Sequence, residues 1–145
     1  MKLQDLGTVV SADLLVVGHG IAGITAALGV KEANPDLDVL LVDKASTGWA
    51  GKANKGGCVL LDVRADQSVD EIVEWHVRKT GEYLNNQNLY KKFIDYCPTA
   101  IDRMAKWGAS VNYVDDKAHQ NVPLPGPWTL TAVDDDFMLR MANTA

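Results

Sequence analysis

Ala12-Asp13-Leu14-Leu15-Val16-Val17-Gly18-His19-Gly20-Ile21-Ala22-Gly23 joins two local patterns without a gap. Ala12 to Val17 is a short apolar run closed by Gly18, which reads as a buried strand. From Ile21 the pattern changes: Ile21, Ile24, Thr25, Leu28 and Glu32 fall on successive turns of a helix. Small residues (Ala22, Gly23, Ala26, Ala27, Gly29) crowd that helix and allow close packing on a sheet. Asn34-Pro35 ends it. Leu37 to Asp43, with Val39 to Val42 at its centre, reads as a second strand. Strand, helix and strand in this order imply a right-handed parallel β–α–β unit.

The turn between the first strand and the helix is Gly18-His19-Gly20-Ile21-Ala22-Gly23, a GxGxxG pattern. Such a pattern alone is weak. Here it follows a strand, opens a helix, and precedes an acidic residue, Asp43, at the end of the next strand. Gly18 permits a tight exit from the strand. Gly20 lets a pyrophosphate reach the backbone, and Gly23 lets the helix sit close to the sheet. The N–H groups of the helix start, with the helix dipole, favour phosphate there. Asp43 is placed to accept hydrogen bonds from an adenosine ribose, and its charge disfavours a 2′-phosphate and so NADP. FAD and NAD both use this turn.

Composition limits the alternatives. The chain has 145 residues, enough for one domain with a sizeable core. Its net charge of −5, from 14 basic and 19 acidic residues, argues against a nucleic-acid surface. Apolar runs such as Leu14–Val17 are too short to cross a bilayer. The polar N-terminus lacks the apolar core of a signal peptide, so a cytoplasmic location is expected. Cys58 and Cys97 stand apart, outside any CxxC or Cys/His cluster, and read as free thiols; no metal site is expected.

Beyond the second strand, Lys44 to Gly57 is a long loop of small residues, the kind that is functional or mobile inside a compact domain. Ser68-Val69-Asp70-Glu71 is a capping box that opens a helix with Ile72, Val73 and Val77, stopped at Gly81. Asn88 to Tyr96 reads as another helix. Pro98 suits the first turn of a third, carrying Ile101, Met104, Ala105 and Trp107 and ending at Gly108. Val111–Val114 and Leu130–Val133 read as short strands. Between them, Asp115 to Trp128 is a loop stiffened by Pro123, Pro125 and Pro127. Asp134 is placed to cap a last helix with Phe137, Met138 and Met141.

The stretch Asp43-Lys44-Ala45 followed by Ser46 to Gly57 resembles the FAD loop of the fumarate reductase, succinate dehydrogenase, L-aspartate oxidase and adenylylsulfate reductase flavoproteins. Ile101-Asp102-Arg103-Met104-Ala105-Lys106-Trp107-Gly108-Ala109 is similar to a stretch of that family ending in a Trp-Gly or Leu-Gly pair. Phe137-Met138-Leu139-Arg140 resembles a helix that follows. The resemblance implies an α/β fold: a Rossmann-like FAD-binding β–α–β unit with a helical insertion, in a FAD domain left incomplete by this chain. Residues 12–60 would form the dinucleotide-binding unit and flavin loop, 68–114 the helical insertion, and 115–145 a loop and the start of a returning segment. The cofactor-binding set is Gly18, Gly20, Ile21, Ala22, Gly23, Asp43, Lys44, Gly56 and Gly57. No catalytic acid or base is named; the family's arginine proton donor belongs to a later capping domain.

By the same resemblance, the parent protein transfers electrons between FAD and a small substrate, often a dicarboxylate. An iron–sulfur or ferredoxin-like electron-transfer subunit is the implied partner. An adenylylsulfate reductase alpha-like subunit, or a nucleotide-binding module without redox turnover, is the alternative. The chain alone is expected to be inactive. The family's covalent attachment uses a loop histidine, and Ala50 or Gly51 stands there, so FAD is expected to be non-covalent. Lys52 and Lys55 are additions to the family pattern; they read as solvated loop lysines, with contact to FAD phosphates as the alternative. His19 is expected to line the site or face solvent, and His76 and His119 to be packed or exposed. Asp134 to Asp136 serve helix capping rather than a metal. Trp49, Trp75, Trp107 and Trp128 are expected to pack in the core or between domains.

Overall fold

The computed structural model describes residues 5, 7–56, 58–62, 67–112 and 129–144. β1 (Leu14–Val17), α1 (Ile21–Ala33) and β2 (Val39–Val42) form a parallel β–α–β unit. Leu14 pairs with Val39 and Val17 with Val42. Both strands are shorter than the apolar pattern predicts. At their outer end, the Asp13 N–H donates to the Asp38 carbonyl (2.9 Å) and the Asp38 N–H to the Asp13 carboxylate (2.9 Å). The side-chain acceptor interrupts the regular ladder there.

After the loop and a 3-10 turn at Ala53–Lys55 come β3 (Val59–Asp62), α2 (Val69–Lys79), α3 (Gln87–Lys106), β4 (Val111–Asn112), β5 (Thr129–Val133) and α4 (Phe137–Thr144). β5 lies between β3 and β4 in an antiparallel sheet. The strand at β3 has no counterpart in the sequence reading. Its partners lie far along the chain, Val59 opposite Ala132 and Asp62 opposite Thr129, so no local turn announces it. The expected proline-rich loop at 115–128, with His119 and Trp128, lies outside the described residues.

The largest revision is α3. Two helices were expected to meet at Pro98; a single helix runs through it. Pro98 removes one helical hydrogen bond and crowds the preceding turn, at a cost of about 3 kcal/mol. The buried residues Ile94, Cys97, Ile101 and Met104 keep one helical face across the proline. Burying Ile101 and Met104 beyond it contributes roughly 1.5–3 kcal/mol each, which offsets the break. α3 then ends in a Schellman motif: the Ala109 N–H donates to the Met104 carbonyl (3.0 Å) and the Gly108 N–H to Ala105 (3.1 Å).

The main core joins Ile24 and Leu28 of α1, Met104 and Trp107 of α3, Val133 of β5, and Phe137, Met138 and Met141 of α4. Thus α1 is held from one side by α4 and from its C-terminal end by α3. At that end the Glu32 carboxylate accepts from the Arg103 guanidinium (2.7 Å) and the Trp107 indole N–H (2.7 Å). Arg103 also lies over the Trp107 ring, 4.5 Å from its centre. The bond from Arg103, aided by that from Trp107, holds the Glu32 carboxyl below the ordinary carboxylate range.

Candidate functional site

The glycine turn is built by clearance. Gly18 has φ +111°, and a Cβ on Gly23 would lie 1.7 Å from the Gly18 carbonyl oxygen. Any side chain at Gly23 would push α1 off the end of β1. On the outer side the turn is open. A Cβ on Gly18 would meet nothing within 4 Å, and one on Gly20 only Gly51 Cα at 3.6 Å.

The start of α1 differs from those of α2 and α3. Ser68 caps α2 by accepting from the Glu71 N–H (3.3 Å), and Asn86 caps α3 by accepting from the Leu89 N–H (3.1 Å). Gly20 offers α1 no side-chain cap, and no acidic residue sits in its first turn. The first N–H groups of a helix have no acceptor inside it. At α1 they follow directly on Gly18, whose Cβ direction is open, an arrangement suited to an anion.

Asp43 closes the other side. Its Oδ2 accepts from the His19 N–H at 2.5 Å and its Oδ1 from the Ala45 N–H at 2.8 Å. The bond from the His19 N–H, followed by that from Ala45, pulls the Asp43 carboxyl below its ordinary value. Asp43 thereby pins the glycine turn to the end of β2. A carboxylate has about four acceptor positions, so two such bonds leave capacity for ribose hydroxyls. His19 itself is buried.

The structure thus brings Gly18, Gly20, Ile21, Ala22 and Gly23 together with Asp43. Lys44 is exposed just past β2. Gly56 lies farther along, where its N–H donates to Ala53 (3.4 Å) at the end of the 3-10 turn. Gly57 lies outside the described residues. Two loop glycines outside the predicted set make close backbone approaches. Gly51 has φ +74° and lies against Gly20, and a Cβ on Gly48 would lie 2.8 Å from Leu139 Cα in α4. The sequence shows four glycines in this loop but not which of them approach other backbone.

The remaining residues singled out in the sequence lie elsewhere in the fold. His76 stacks on Tyr90, ring centres 4.0 Å apart. Burial lowers the His76 pKa and, with a smaller effect of Cys97, raises that of Tyr90 to about 12. Cys97 is buried and Cys58 half-buried. Asp136 pairs with Arg140 at 2.8 Å. Among the described residues no cluster of three or more His, Cys, Asp or Glu could hold a metal, and no helix is long and apolar enough to cross a membrane. Trp107 packs in the core, whereas Trp49 is 63% exposed and lies outside it. A groove of about 540 Å³ at the start of α3 is lined by Asn85, Asn86, Leu89, Tyr90 and Phe93, none of them in the cofactor set.

Comparison with known proteins agrees with this geometry. The family described as FAD binding domain matches residues 13–133. The fumarate reductase flavoprotein subunit of Proteus vulgaris is 28% identical, over 73% of this chain and 18% of its own length. That of Escherichia coli K12 is 31% identical, over 67% of this chain and 16% of its own. L-aspartate oxidase of Clostridium perfringens is 27% identical, over 68% and 21%. The chain therefore spans about a fifth or less of the length of these relatives. A solved structure of an E. coli quinol fumarate reductase FrdA variant superposes with a TM-score of 0.63 at 23% identity, covering 92% of this chain and 23% of that one. Glycine turn, acidic strand end and family match agree: the chain belongs to the FAD-binding family of the fumarate reductase and succinate dehydrogenase flavoproteins, and FAD is its cofactor.

Proposed function

We propose that the chain forms the pyrophosphate- and adenosine-binding part of the FAD site in an oxidoreductase subunit of the fumarate reductase type. The observation that carries this reading is the start of α1. It lacks the side-chain cap that α2 and α3 have, and open space lies over Gly18, with only Gly51 close to Gly20.

The backbone of Gly18 and Gly20 and the N–H groups of Ile21, Ala22 and Gly23 would hold the pyrophosphate. Asp43 would meet the ribose, Lys44 would lie beside it, and Gly56 and Gly57 would line the far end of the flavin loop. Bound FAD supplies two-electron redox chemistry; the residues of this chain bind and orient it. Ala50 or Gly51 occupies the place where the resemblance puts an attachment histidine, so the flavin is read as non-covalent. Residues 12–60 act as the dinucleotide unit, 68–114 as a helical insertion and 115–145 as a returning segment. Within a Rossmann-like FAD domain of the relatives' size, the exposed apolar side chains of β1, Leu15 and Val17, would be covered by further chain.

The substrate class proposed is a small dicarboxylate. The names of the relatives, fumarate reductase and L-aspartate oxidase, support it. An iron–sulfur electron-transfer subunit is the proposed partner. The test is to bleach the bound flavin of the full-length protein with a reductant and then add fumarate anaerobically. Return of the yellow colour on fumarate supports the proposal. A flavin that fumarate leaves reduced removes fumarate as the substrate, and a protein that takes up no flavin removes the redox reading altogether.

A further inference from the structure

The flavin loop contains Lys44, Lys52 and Lys55, and the structure gives Lys55 a defined task. The Lys55 ammonium donates to the Trp49 carbonyl (2.8 Å), the Gly51 carbonyl (2.9 Å) and the Asn54 side-chain oxygen (3.1 Å). An ammonium has three protons, and these three acceptors match them. Asn54 extends the net, its amide N–H donating to the Gly48 carbonyl at 2.6 Å. The carbonyls of residues 48, 49 and 51 are thus gathered by one Lys–Asn pair. The same short segment touches its surroundings at two points. Gly48 is buried against Leu139 of α4, and Gly51 lies against Gly20 of the phosphate turn.

We propose that Lys55 is a positioning residue that builds the flavin loop against the glycine turn before the cofactor arrives. This rests on the FAD-binding reading above. Ordering a backbone costs roughly 1–2 kcal/mol per residue. A loop already held by an internal cation spares the cofactor part of that cost, which is how preorganisation raises affinity. Lys55 is therefore an exposed lysine with a task inside the loop rather than a direct phosphate ligand, because its donors are engaged by loop oxygens. Lys52, three residues earlier and exposed, has no such bonds among those described and serves as the comparison.

The experiment uses the full-length protein as wild type, Lys55→Met, Lys55→Arg and Lys52→Met. Two quantities are measured: amide hydrogen exchange of residues 48–56 without FAD, and the Kd for added FAD. Lys55→Met is expected to exchange faster in the loop while α2 and α3 keep their protection, and to bind FAD about tenfold more weakly. Lys55→Arg is expected to recover part of both, and Lys52→Met to match wild type. A Lys55→Met protein with unchanged apo loop protection overturns the proposal. If its FAD affinity nevertheless falls, Lys55 is a phosphate ligand. Faster loop exchange with unchanged FAD affinity also overturns it, since the order would then serve no binding. Failure of wild type to bind FAD is seen separately and sinks the FAD reading itself.

Discussion

The glycine turn with its loop, and the helical pair α2–α3, solve different physical problems. α2 and α3 are specified by pattern. Each has a side-chain N-cap and a buried apolar stripe. The turn is specified by clearance and by backbone partners: Gly23 against the Gly18 carbonyl, Gly51 against Gly20, Asp43 on the His19 N–H. Apolar burial contributes less there, and Val17 of β1 is 77% exposed. The difference shows where binding is to be sought. A segment whose sequence is constrained by contact with backbone, and whose helix start has no cap, is shaped for something other than its own core.

This contrast can be broken most forcefully at Gly23. Gly23→Ala places a methyl group into the Gly18 carbonyl, and a clash of this kind costs ~3 kcal/mol. Denaturant unfolding of the apo protein should show that loss, and FAD titration should show binding weakened beyond it. Equal binding by the variant would mean that the turn relaxes without consequence. Ile94→Ala is the counterpart in the insertion. Ile94 is fully buried, so about 2–4 kcal/mol should disappear on truncation. At temperatures where the variant remains folded, its Kd for FAD should equal that of wild type. A shifted Kd would couple the insertion to the cofactor turn.

A smaller effect is expected from Ser68→Ala. It removes the α2 cap at a cost of about 1 kcal/mol, read as a lowered Tm with unchanged flavin affinity. Asp43 provides the subtlest comparison, through pH. Its folded pKa is depressed, mainly by the His19 N–H. The stability it gives is therefore complete above its unfolded pKa of about 3.9 and is lost as pH falls through the lower folded value. The stability gap between wild type and Asp43→Asn should be flat above about pH 4 and close below it. A gap that persists unchanged in stronger acid would show that the bonds to His19 and Ala45 do not depend on the charge.

Much of this was legible in the chain itself. The run from Ala12 to Gly23 and the acid at Asp43 mark the parallel unit, because apolar runs and glycine spacing are local signals. Ser68 and Glu71 likewise marked the start of α2. β3 was hidden because its pairing with β5 is decided across more than sixty intervening residues. Pro98 misled because a proline is a local breaker, whereas the stripe from Ile94 to Met104 that overrides it belongs to tertiary packing. In the site, Lys52 and Lys55 have the same chemistry in the same loop. Only the fold shows that Lys55 reaches the carbonyls of Trp49 and Gly51. Trp49 read from its size as a core or domain-packing residue, and the fold places it outside this core.

The most direct test of FAD binding at this turn is an absorption spectrum of the purified full-length protein, taken before and after acid precipitation, for wild type and Gly23→Ala. The expected result is flavin absorption in wild type that passes into the acid supernatant, with little or none in the variant. Flavin that stays in the pellet would contradict non-covalent binding. A wild-type protein without flavin after loading, or a variant as yellow as wild type, would contradict the assignment of the turn.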